Sequence, residues 1–197
     1  GGLTAAVRLA AAGHKVTVYE KNDTVGGRCN VLRDRGFTWD LGPTILLMRD
    51  VIEGVFADAG RDPADYLELH RCDPNYRIHF ADGTSIVFTP QLGAMRDELE
   101  RVEPGSFEKF LDFVQASRGH YDTSVDALVT RPLDGVGQYF NPSILKAVLS
   151  VRAYRRLYPW LRSFFKDERL RMSLSFQTMY LGLSPYDAPA PFSLLPY

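Results

Sequence analysis

Apolar and polar residues recur along this chain with several distinct periods, and each period predicts a different element. After Thr4, residues 5–12 are alanine, valine and leucine broken only by Arg8, and Gly13 closes the run. Strong helix formers ending at a glycine suited to a left-handed C′ position predict a helix. Residues 15–20 (Lys-Val-Thr-Val-Tyr-Glu) alternate and are β-branched at Val16, Thr17 and Val18, which predicts a strand. Helix, tight turn and strand form the second half of a βαβ unit, and small residues on the helix let it approach a sheet closely. The first strand of that unit is expected immediately before Gly1, so the chain reads as a fragment. Val51, Ile52, Val55 and Phe56 repeat at helical spacing between Arg49 and Gly60. Over 66–88 the pattern changes to strand. Tyr76, Ile78 and Phe80 lead into an Asp82-Gly83 turn, and Ile86 and Phe88 return from it, which predicts a hairpin. Two amphipathic helices follow: one presents Leu92, Met95, Leu99 and Val102, and the other starts at Pro104-Gly105-Ser106 and presents Phe107, Phe110, Leu111 and Val114.

Glycines carry the first chemical signal. Gly1 and Gly2, directly before the first helix, fit the tail of a Gly-x-Gly-x-x-Gly turn, with Gly2 as its third glycine. Bare backbone can approach a pyrophosphate, and the helix start offers it free N–H groups and a positive partial charge. Glu20, at the end of the predicted second strand, stands where an acceptor for ribose hydroxyls belongs. Gly26-Gly27-Arg28 then supplies a second glycine turn with a cationic donor, and Phe37-Thr38-Trp39-Asp40 runs into Leu41-Gly42-Pro43-Thr44. Taken singly, these features are also explained by a helix cap, a solvated strand-end glutamate and a strand-ending turn.

Together the array resembles the glutathione-reductase-like flavoproteins, a group that includes amine oxidases, protoporphyrinogen oxidases and carotenoid desaturases. The Asp-x-Gly-Pro-Thr stretch is most similar to that of bacterial and fungal phytoene desaturases. So is the tail, with Ser175-Phe176-Gln177-Thr178-Met179-Tyr180, then Ser184-Pro185-Tyr186-Asp187-Ala188-Pro189 and Ser193-Leu194-Leu195. The resemblance runs from Gly1 to Tyr197. It implies an α/β fold: a Rossmann-like FAD-binding domain over 1–60, its first strand missing, and part of an α+β substrate domain over 61–197, incomplete in this chain. It also implies FAD as cofactor. Gly1 and Gly2 would lie at the pyrophosphate, and Glu20, flanked by Lys21, at the adenosine ribose. Gly27 and Arg28 would lie along the phosphates, and Gly42, Pro43 and Thr44 near the isoalloxazine ring. The implied activity is desaturation of a long isoprenoid hydrocarbon such as phytoene, with oxygen or a quinone as final electron acceptor. Asp40 and Arg152 come into view as acid–base groups, but no spacing supports either, and no catalytic residue is assigned. Cys29 is expected to be a small buried filler rather than a reactive thiol. His70 and His79 are expected to be structural.

Composition narrows the picture further. The net charge of −1 gives no overall case for nucleic acid, and two cysteines with four scattered histidines give no metal spacing. The longest uncharged run, 172–186, has 15 residues and contains Gly182 and Pro185, too short and broken for a membrane span. Residues 135–166 stand apart. They hold Lys146, Arg152, Arg155, Arg156, Arg162 and Lys166 and no acidic residue, interleaved with Tyr139, Phe140, Tyr154, Tyr158, Trp160, Phe164 and Phe165. Cations flanked by aromatics are attracted to anionic lipid. The expectation is a peripheral membrane protein on the cytoplasmic side whose partners are a polyene substrate and a membrane surface. Solvated arginines on an ordinary helix pair explain the segment equally well, and Pro159 interrupts it. Two other readings stay open: an amine oxidase or protoporphyrinogen oxidase with the same cofactor residues, and a flavin-free, prenyl-binding scaffold like the GDP-dissociation inhibitors, against which Gly26-Gly27-Arg28 argues.

Overall fold

A computed structural model of the chain describes residues 1–197 except 44, 45, 47, 130–134, 136, 138–140 and 197, and leaves the side chains of 128 and 129 undescribed. The chain falls into two compact units, Gly1–Arg71 and Cys72–Tyr197.

In the first unit, helix α1 (Gly2–Ala11) ends as its sequence predicts. Gly13 takes φ +88°, its N–H donates to Ala10 O, and the N–H of His14 donates to Leu9 O. These bonds make a Schellman closure, which satisfies carbonyls that the helix end leaves open. Helix α2 (Arg49–Asp58) closes in the same way through Gly60, with the N–H of Arg61 donating to Phe56 O. Arg8 on α1 pairs with Asp58 on α2 at 2.8 Å. Between the helices lies an antiparallel hairpin, β1 (Val31–Asp34) and β2 (Phe37–Asp40), with Leu32 opposite Trp39. Arg35 and Gly36 both have positive φ at its turn, the geometry that matches the twist of a two-residue hairpin loop.

The predicted strand over 15–20 is a correction. A strand persists only when a neighbour accepts its hydrogen bonds, and among the described residues β1 and β2 pair only with each other. No described residue of this unit is buried; Leu3, Val7, Val18, Phe37 and Trp39 remain exposed.

The second unit contains a packed core. Strands β3 (Tyr76–His79) and β4 (Ser85–Phe88) form the predicted hairpin, with Tyr76 opposite Phe88 and Ile78 opposite Ile86. The strand pattern that begins at residue 66 becomes a ladder only at Tyr76. At the turn, the Asp82 carboxylate accepts the N–H and hydroxyl of Thr84. Helix α3 (Leu92–Val102) covers the edge of β4: Glu98 accepts the N–H of Val87, and Arg101 donates to Ser85 O. Helix α4 (Ser106–Ser124) follows and runs into a π turn over Val125–Val129.

Among the described residues three shorter α-helices follow, with 3-10 turns over Phe176–Leu181 and Ala190–Leu194. In α5 (Pro142–Ser150), Asn141 caps the N-terminus by accepting the N–H of Ser143, and Pro142 stands at the first position, where no N–H is needed. Helix α6 (Leu157–Leu161) contains Pro159, which is tolerated because it lies in the first turn, where N–H groups have no intrahelical partner. Helix α7 (Glu168–Ser173) is capped by Asp167. Ile86, Phe88, Met95, Leu99, Phe107 and Phe113 pack with Leu157, Trp160, Leu161 and Phe165 into one core.

Glu103 ties this unit together. It is 9% exposed; one carboxylate oxygen accepts the N–H groups of Lys166 and Asp167, each at 2.8 Å, and the other accepts Lys109 Nζ at 3.0 Å. Burial pushes its pKa up, but the N–H of Asp167, Lys109 and the N–H of Lys166 outweigh it, so the carboxyl lies below its ordinary 4.5. A carboxyl with a depressed folded-state pKa contributes stability above its unfolded value and loses it as pH falls through the folded value. Glu103→Gln is therefore expected to destabilise the protein by about 2 kcal/mol at neutral pH. In urea unfolding, that difference should shrink as the pH drops below 4.5.

Candidate functional site

The glycine turn and the Gly-Pro stretch, separate in sequence, meet in the structure. Gly26 and Gly27 take φ +127° and +57°; the first is open essentially to glycine alone, and the second is one that glycine adopts at least cost. The N–H of Cys29 donates to Gly26 O, and β1 and β2 then carry the chain out and back. The N–H of Leu41 donates to Asn30 O at 2.9 Å, which sets Gly42 against the backbone of Arg28 and Cys29. A Cβ on Gly42 would lie 3.0 Å from the Arg28 carbonyl carbon and 3.1 Å from Cys29 Cα, and closer still to the Arg28 oxygen. Gly42 is there because two backbones touch. Pro43 follows it, and Thr44 lies outside the described residues.

Gly1 and Gly2 open α1 with no side-chain cap and no acidic residue in the first turn, and a Cβ at either would meet nothing within 4 Å. The N–H groups at this helix start, and the positive end of its dipole, suit a phosphate. One Glu20 oxygen accepts the N–H and the side-chain amide of Asn22, both at 2.9 Å; the other has no partner among the described residues. Lys21 and Arg28 are exposed and pair with no carboxylate among the described residues. No hydrogen bond or ion pair among the described residues joins Gly1, Gly2 or Glu20 to the Gly26–Arg28 turn. Cys29 is exposed, which corrects its reading as a buried filler: the first unit buries no described side chain that could enclose it.

In the second unit the tail motif divides by face. Ser175, Gln177 and Thr178 are buried, whereas Met179, Tyr180 and Leu181 are exposed. Gln177 donates from Nε2 to the Tyr76 hydroxyl at 3.0 Å, joining the tail to β3. Burial is the main reason that the Tyr76 hydroxyl is held well above its ordinary pKa, so it stays neutral and able to donate. His70 and His79 are exposed, His70 beside Glu68 at 3.1 Å. The buried histidine is His120, which sequence reasoning passed over. Its Nδ1 lies 2.9 Å from Ser193 Oγ, its ring lies beside Trp160, and burial together with the Arg152 charge pushes its pKa down. Phe113, Ser117, His120 and Ser124 share the buried face of α4, but three of the four are polar, so apolar spacing does not announce it.

The basic segment also divides. Tyr158, Trp160 and Phe165 are 3%, 5% and 0% exposed, so these aromatics build the core rather than an outer surface. Leu145, Leu149 and Tyr154 face outward with Lys146, Arg152, Arg155 and Arg156. Tyr139 and Phe140 lie outside the described residues. Among the described residues, no helix is long and apolar enough to cross a membrane.

Comparison with known proteins adds the family. Residues 1–188 match the model of the flavin containing amine oxidoreductases. The whole chain is 54% identical to part of a zeta-carotene-forming phytoene desaturase of Myxococcus xanthus, of which it covers 38%. It is 37% identical to a phytoene desaturase of Phycomyces blakesleeanus, covering 34% of it, and 38% identical to a 4,4'-diapolycopene oxygenase of a Methylomonas species, covering 40%. The chain thus spans 34–40% of the length of these curated relatives. Matched along nearly all of its length, the chain belongs to the flavin containing amine oxidoreductase family, which indicates FAD as the cofactor.

Proposed function

We propose that this chain is part of an FAD-dependent desaturase acting on a long isoprenoid hydrocarbon such as phytoene. The observation that carries the reading is the joining of Gly26-Gly27-Arg28 to Gly42-Pro43 by the β1–β2 hairpin, in a chain 54% identical to a phytoene desaturase along its length. Residues 1–60 hold the cofactor in a Rossmann-like arrangement, and 61–197 form part of the substrate domain.

Bound FAD would supply an acceptor for a hydride equivalent from a C–H bond on one carbon of a single bond, while a proton leaves the neighbouring carbon and the bond becomes double. The chain's own residues bind and orient. Gly1 and Gly2 present the start of α1 to the pyrophosphate, and the unpartnered Glu20 oxygen accepts from the ribose, with Lys21 beside it. Arg28 donates to the phosphates from a turn whose backbone is fixed by two glycines. Gly42, Pro43 and Thr44 border the ring. No side chain of this chain is assigned to proton transfer. The electrons pass finally to oxygen or a quinone, and the protein works at a membrane surface on its cytoplasmic side.

The test is turnover by the intact protein that contains this chain, loaded with flavin and given phytoene in liposomes under air or under nitrogen with a quinone. Chromatography should show more-conjugated polyenes. A yellow protein that leaves phytoene unchanged under both conditions would move the assignment to another oxidase of the family. A colourless protein that fails to take up FAD would sink the flavoenzyme reading and favour a prenyl-binding scaffold.

A further inference from the structure

The second unit carries a cationic hollow that the flavin chemistry does not use. Arg155, Arg156, Pro159 and Trp160 line a depression of about 310 Å³. Its backbone is fixed from both sides: the N–H of Leu157 donates to Ala188 O at 2.7 Å, and the N–H of Ala190 donates to Arg155 O at 2.8 Å. Trp160, 5% exposed, is anchored in the core beneath it. The two guanidinium groups therefore project from a rigid base.

Charge along residues 146–156 is one-sided. Arg155, Arg152 and Lys146 have no acidic partner among the described residues, and Arg156 meets only Asp187, at 3.3 Å with both side chains largely exposed. An exposed pair of that kind is weak and easily exchanged. Arg152 turns the chain at the end of α5 with φ +53°, and its N–H donates to Leu149 O, which keeps it beside that helix. On the same helix Leu145 and Leu149, one turn apart, are each 56% exposed, and Tyr154 is 68% exposed. Guanidinium forks that match phosphate, next in sequence to an outward tyrosine and five residues beyond a helix with two outward leucines, complement an anionic headgroup with its acyl chains.

We propose that residues 145–156 dock on an anionic phospholipid bilayer, with the Arg155–Arg156 hollow taking a lipid phosphate and Leu145, Leu149 and Tyr154 entering the headgroup boundary. This rests on the peripheral-membrane part of the function proposed above and narrows it from the whole 135–166 segment to residues 145–156.

Co-sedimentation of the intact flavin-loaded protein with vesicles tests it, comparing pure phosphatidylcholine with phosphatidylcholine containing phosphatidylglycerol. Wild type should bind the anionic vesicles much more strongly. At about 1 kcal/mol per basic residue near an anionic surface, R155Q/R156Q should weaken that binding about thirtyfold. R155K/R156K, which keeps the charge and loses the forked donors, should fall between the two. R61Q/R71Q removes equal charge from exposed arginines elsewhere and should bind like wild type. Equal binding to both vesicle types, or equal losses in R155Q/R156Q and R61Q/R71Q, would overturn the proposal. Full recovery by R155K/R156K would overturn the phosphate hollow. Flavin absorbance and turnover of detergent-dispersed phytoene are measured on the same samples. Failure of the desaturase reading therefore appears as absent turnover in wild type, independently of vesicle binding.

Discussion

Gly42→Ala is expected to lower the flavin content of the purified intact protein at least tenfold. The added methyl would stand 3.0 Å from the Arg28 carbonyl carbon and 3.1 Å from Cys29 Cα, and nearer to the Arg28 oxygen. All three are backbone atoms, so no flexible side chain can swing away. Either the Gly26–Arg28 turn or the strand leaving the hairpin must shift, and both border the proposed cofactor. Relieving such an overlap by backbone movement costs on the order of 1–3 kcal/mol, and the movement displaces donors whose placement sets affinity. Gly54→Ala is the matched control. Its Cβ would meet nothing within 4 Å, and it lies inside α2, where alanine is the better helix former. It should keep its flavin and gain up to about 1 kcal/mol. The ratio of flavin to protein absorbance reads both variants, and stoichiometric flavin in Gly42→Ala would show that the contact is dispensable.

Phe113→Ala is expected to have the largest effect on stability, a loss of about 4 kcal/mol. Phe113 is 1% exposed, and its ring lies 5.7 Å from those of Trp160 and Phe164 and 6.1 Å from that of Phe165. Removing it opens a cavity where α4 meets α6 and the residues after it, and these partners cannot collapse inward without leaving their own contacts. A loss of that size approaches the whole margin of an ordinary domain. Leu111, two residues earlier and 37% exposed, should lose less than about 1 kcal/mol on the same change. Urea unfolding of the intact protein separates the two, and equal losses would show that Phe113 does not anchor this core.

The pair Leu111 and Phe113 also shows how sequence reading of α4 goes astray. Periodicity places Phe107, Phe110, Leu111 and Val114 on one face; Phe107 is buried and Phe110 and Val114 pack against the core, but Leu111 is exposed, and the buried face continues through Phe113, Ser117, His120 and Ser124. Three of these are polar, and apolar spacing does not mark a buried serine or histidine that is satisfied only by a partner distant in sequence, as His120 is by Ser193. Elements whose signals are local were legible. The two Schellman closures at Gly13 and Gly60, the β3–β4 hairpin around Asp82-Gly83, and the start of α4 after Gly105 all follow from residues within a few positions of each other.

Non-local features were not. The alternation over 15–20 reads as a strand, yet alternation cannot supply the neighbouring strand that would hold it. The aromatics of the basic segment look like a lipid-facing belt, but Trp160 and Phe165 point into the core, because short helices joined by turns do not keep one period long enough to show their faces. In the site, each glycine motif was readable by itself. That Gly42 rests on Arg28 was not, because β1 and β2 had to pair before the two segments could meet.

The most direct measurement on the proposed flavin desaturation is the visible spectrum of the intact protein, loaded with FAD and mixed with phytoene under strict exclusion of acceptors. The expected result is bleaching of the flavin bands together with new polyene absorption, in a ratio of one double bond formed per flavin reduced. Flavin that stays oxidised in the presence of phytoene, with no polyene formed, would contradict it.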